Sequence, residues 1–116
     1  MTESKKKIQN WTQLCFRLGE MFRLDLDENG VFMLIGIRER GWGFKEYTKE
    51  EKLNLIYLGT ATLLCEMNRI TKVTTDRDGW PVFKEPNIVA EWTEVQKIGE
   101  LKKGAIVYFN RIWGLN

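Results

Sequence analysis

The stretch Asp25-Leu26-Asp27-Glu28-Asn29-Gly30 comes nearest to a metal-binding pattern in this chain. It has oxygen donors at the first, third and fifth positions and glycine at the sixth, the opening half of an EF-hand calcium loop. The twelfth position, where such a loop needs a bidentate glutamate, is Gly36. Without that ligand the stretch reads as a polar turn whose acids, with Asn29, cap the next helix. Asp76-Arg77-Asp78-Gly79 is a second acidic cluster, of the kind that hairpin turns select for backbone reasons. The neighbours Glu50 and Glu51 belong to a helix start. No metal ligand, cofactor site or catalytic residue is assigned.

The chain has no histidine. That removes Ser–His and Cys–His nucleophile pairs, His-ligated zinc and the commonest general base near neutral pH. Cys15 and Cys65 lie in apolar helical contexts and are expected as buried free thiols, and there is no CxxC pair. The expectation is a protein that is not an enzyme and carries no cofactor.

Aromatic residues are more informative. The chain holds five tryptophans, and Trp42 and Trp80 fall in expected loops or turns. With Phe44 and Pro81 they form a candidate patch for a protein partner or self-association, since exposed aromatics anchor interfaces. Turned inward, the same side chains would pin loops to the core. The run Arg38-Glu39-Arg40-Gly41-Trp42-Gly43-Phe44-Lys45 interleaves basic and aromatic groups, which could also stack on bases.

A nucleic-acid reading is the alternative. Three helices followed by a hairpin is the element order of winged-helix domains, and Arg69, Lys72, Arg77 and Lys84 would furnish the hairpin contacts. The third helix suits that role poorly. Between Asn54 and Asn68 it has no Arg, Lys, Asn or Gln with which to read base edges. A net charge of +2 and a pI near 8.6 also fall short of a dedicated nucleic-acid binder.

The elements that must position these residues are mainly α-helical, with one small β-hairpin. About four helices are expected around a central one at 48–67. Thr48 and Glu51 make a capping box there, apolar residues cover several sides, and Asn68 can end the helix in a left-handed conformation. A first helix starts at the cap Asn10 and runs through Trp11, Leu14, Cys15, Leu18 and Phe22, with Phe16 and Met21 broadening its stripe. Val31–Arg40 is a second helix ended by Gly41, after a turn at 24–30. Strands are expected near 70–75 and 80–84, joined at Asp78-Gly79. Residues 88–92 are read as extended. Thr93 and Gln96 box a final helix near 93–113, with Val95, Ile98, Leu101, Ala105, Phe109 and Ile112 on its apolar face.

Residues 1–116 read as one globular domain, with 1–8 a flexible basic tail. No apolar run reaches the length of a membrane span, and the opening MTESKKKIQN lacks the apolar core of a secretion signal. A cytoplasmic protein is therefore expected.

The segments LIGIRERG, YTKEEKLNLIYLG and DGWPVF resemble a family of small bacterial proteins in which a helix pair precedes a "TKEEK" helix and a "DGWP" turn. The resemblance covers roughly residues 10–113. It implies a single domain and a bacterial cytoplasmic origin. That family carries no assigned activity, so no site residue is transferred.

Overall fold

A computed structural model of the chain describes residues 6–84 and 92–115. It has four helices and a two-stranded antiparallel hairpin, in the order α1 (Trp11–Phe22), α2 (Glu28–Arg40), α3 (Lys49–Glu66), β1 (Thr71–Thr75), β2 (Pro81–Lys84) and α4 (Glu94–Ile112). The mainly α class with a small hairpin is as the sequence implies. The expected extended piece at 88–92 lies outside the described residues except for Trp92.

Local chemistry starts and stops each helix. Asn10 accepts from the amide of Gln13 at α1, and both expected capping boxes form, Thr48 with Glu51 and Thr93 with Gln96. Asn68, just past α3, takes the left-handed conformation at φ 62. The second helix differs from expectation by starting at Glu28 instead of Val31. Asp27 is its N-cap, accepting from the amide of Gly30 at 2.9 Å, so the back half of the acidic stretch is the first turn of a helix. Gly41 ends α2 at φ 76, and its amide donates to the carbonyl of Ile37.

The innermost packing is between α2 and α3, which run antiparallel with their backbones in contact. Val31, Phe32, Ile35 and Ile37 of α2, with Leu55, Leu58, Ala61 and Leu63 of α3, are buried. The expected central helix therefore shares that place with α2. Leu14 and Leu18 of α1, and Leu101, Ala105, Tyr108 and Phe109 of α4, complete the core. Phe16, Met21, Leu53 and Val95 face outward despite their apolar periodicity.

Ile8, placed by sequence at the end of a flexible tail, is buried. Its amide donates to Asn110 Oδ1 at 2.9 Å, and its carbonyl accepts from Asn110 Nδ2 at 3.0 Å. One buried side chain satisfies both backbone groups, which ties this segment to α4.

In the hairpin Lys72 pairs with Phe83 and Thr74 with Val82, so Val73 is an extra residue and forms a bulge. Asp76 organises the turn. Its Oδ1 accepts from the amides of Asp78 and Trp80, both at 2.9 Å, as hairpin chemistry alone predicts.

Candidate functional site: an aromatic connector and an apolar groove

The residues that interleave charge and aromaticity, 38–47, form the end of α2 and the connector into α3. Arg40 is the pivot. Its guanidinium carbon lies 4.6 Å from the Trp42 ring centroid and 4.7 Å from that of Trp80, within cation–π range of both. Its Nη2 donates to the carbonyl of Asp78 at 2.7 Å. Its buried Nε has no hydrogen-bond partner among the described residues. Trp42 and Trp80 meet edge to face at 5.2 Å, and Trp42 stacks on Tyr47 at 5.8 Å. The Tyr47 hydroxyl donates to the carbonyl of Gly43, and Lys45 Nζ sits 4.9 Å from the Trp42 centroid.

This arrangement divides the expected patch. Trp42 and Trp80 do come together, but both are half-buried and engaged with Arg40, so they fasten the hairpin tip to the end of α2. Pro81 is half-buried and pairs with Thr75 in the sheet. Phe44 parts from them. It is 61% exposed and packs on Phe22 of α1, with ring centroids 4.7 Å apart.

Phe44 stands at the mouth of a groove of about 490 Å³. Its walls come from the C-terminal ends of three helices: Leu18, Met21 and Phe22 of α1, Leu34 and Ile37 of α2, and Phe109 and Ile112 of α4, with Trp113 just beyond. Met21 at the rim is 52% exposed. The size falls within the range of sites that hold a ligand or anchoring side chains, ~300–1,000 Å³. Helical periodicity treats Met21 as core, so nothing local marks the groove. It is assembled from three helices and from Gly41, Gly43 and Phe44 of the connector.

Among the described residues Arg38 is the one charged side chain lining this groove. Its Nη1 donates to Tyr108 Oη at 3.1 Å and lies 3.3 Å from Glu39 Oε2. Tyr108 in turn donates to Glu39 Oε2 at 2.6 Å. Burial, reinforced by the bond to Glu39, pushes the Tyr108 phenol well above its ordinary pKa. A second guanidinium, that of Arg17, lies 5.6 Å from the centroid of the Trp113 ring.

The four hairpin basics do not act as a set. Lys72, Arg77 and Lys84 are exposed, while Arg69 is half-buried and stacks 4.3 Å from the centroid of Trp92. Both cysteines are free and half-buried. Burial, with Glu28 close by, raises the pKa of Cys15 and disfavours its thiolate. Among the described residues no helix is long and apolar enough to cross a membrane, and no three His, Cys, Asp or Glu side chains gather as a metal site. Searches of family models, curated proteins and solved structures return no match to this chain.

Proposed function

We propose that the chain is a non-enzymatic protein-interaction domain, docking its partner in the groove beneath Phe44. The observation that carries this reading is the exposure of Phe44 and Met21 at the lip of an apolar cleft. Large apolar side chains beside a concave apolar surface are the composition of an interface core and an unfavourable one for bare water contact. The Trp42–Arg40–Trp80 cluster supports the site from behind by fixing the connector that carries Phe44.

The test is binding of an apolar fluorescent dye to the native protein and to a Met21→Ser/Phe44→Ser variant. The native protein should enhance dye emission, and the variant should lose most of that signal with an unchanged urea midpoint. Equal signals from the two proteins would remove the groove as a docking surface.

A nucleic-acid reading keeps one specific support, the exposure of Lys72, Arg77 and Lys84 along the hairpin. Titration with duplex and single-stranded DNA at two salt concentrations tests it, because phosphate contacts make affinity fall steeply with salt. Binding indifferent to salt, or none, would end it.

A further inference from the structure

We infer that the groove selects a peptide segment carrying large apolar side chains flanked by carboxylates. The inference rests on the interaction reading above and adds the chemistry of the partner. The walls are mostly apolar, so the anchors must be apolar. The cation at the wall is Arg38, whose Nη1 alone is engaged by the Glu39 carboxylate. Arg38 lines the cleft with its side chain 55% exposed, and among the described residues no carboxylate lines it.

The geometry of Arg38 narrows the choice. Its Nη1 is taken by Tyr108 and Glu39, whereas Nε and Nη2 have no partner among the described residues. The bond from Nη1 fixes the plane of the guanidinium at the groove wall, so the free edge is presented in one orientation. A fixed pair of N–H donors on one edge matches the two oxygens of a carboxylate.

Docking a basic or neutral segment would strip water from Arg38 without replacing it, which disfavours those partners. An acidic segment supplies the missing acceptors. Its apolar anchors fill the cleft between α1 and α4, and its acid meets Arg38 at the α2 wall.

The experiment is selection from a random linear peptide library against the immobilised full chain. Recovered peptides are then titrated against the native protein, Met21→Ser/Phe44→Ser and Arg38→Gln. The expected result is enrichment of Asp or Glu beside Phe, Trp, Leu or Met. Binding should be lost on the double variant and weakened about tenfold or more on Arg38→Gln. Groove-dependent peptides that are neutral or basic would overturn the acidic partner and leave the interaction reading intact. Peptides that bind the double variant equally well, or no enrichment at all, would overturn both. Concentration-dependent dimerisation of the native chain, abolished by the double variant, would overturn the peptide in favour of a second copy.

Discussion

Gly36 and Gly59 are packed reciprocally across the α2–α3 contact. Each meets the backbone carbonyl of the residue four positions before the other. A Cβ on Gly36 would lie 2.0 Å from the oxygen of Leu55, and one on Gly59 would lie 1.9 Å from that of Phe32. The obstruction is helix backbone, which cannot move aside as a side chain does. Gly36→Ala or Gly59→Ala is therefore expected to lower stability by about 3 kcal/mol, at the upper end of overpacking costs. Gly99→Ala is the control, because among the described residues nothing lies within 4 Å of a Cβ there. It should raise stability by up to about 1 kcal/mol through helix propensity. Urea midpoints of the three variants check both signs.

Arg40 holds the hairpin by its flat guanidinium as much as by its charge. Arg40→Lys keeps the charge but loses the stacking plane between Trp42 and Trp80. We expect a loss of about 1–2 kcal/mol, with Arg40→Ala at the larger end. Faster amide exchange confined to residues 71–84, with a shift of tryptophan emission, would identify the hairpin as the part released. Uniformly faster exchange through α2 and α3 would contradict this account.

Asn110 serves two backbone groups of Ile8 at once. Asn110→Ala leaves both without partners in a buried site, at a cost of about 2 kcal/mol. The Ile8 amide should then exchange orders of magnitude faster, whereas the Tyr108 neighbourhood should keep its protection. Chemical denaturation and exchange on the same variant test the two halves of this expectation.

Tyr108 predicts an alkaline limit to stability. Its folded pKa lies above the ordinary value, so the folded chain keeps a proton that the unfolded chain releases. Stability is then full below pH ~10, the unperturbed tyrosine value, and falls as pH rises beyond it. The Tyr108 share of the phenolate absorbance should accordingly appear only as circular dichroism reports unfolding. In Tyr108→Phe that step should vanish and the alkaline fall should flatten. Ionisation of all three tyrosines before any loss of helix would refute it.

What the sequence revealed follows the range of the interactions. Thr48 with Glu51, Thr93 with Gln96, and Asp76 with Asp78 and Trp80 act within four residues, so their chemistry is readable from spacing alone. The sequence pattern starts α2 at Val31, three residues late, because its first turn, Glu28-Asn29-Gly30, is polar and has the composition of a loop. Met21 and Leu53 are exposed although they sit on apolar-periodic positions, because a periodic pattern does not encode which face the other helices cover. Trp42 and Trp80 were recognisable as site candidates, but their meeting requires Arg40 and a hairpin folded back by 38 residues. The groove has no local signature, because each wall belongs to a different helix.

The glycine contact joins helices separated only by the short connector 41–48, whereas the Ile8–Asn110 bond spans 102 residues. The difference is one of time as well as of energy. Closing a short loop is entropically cheap, so the α2–α3 pair can assemble early, and α4 must wait to meet the opposite end of the chain. A chevron plot should then show Gly36→Ala slowing refolding and Asn110→Ala mainly quickening unfolding. The order of assembly would thus run outward from a backbone contact that two glycines alone permit.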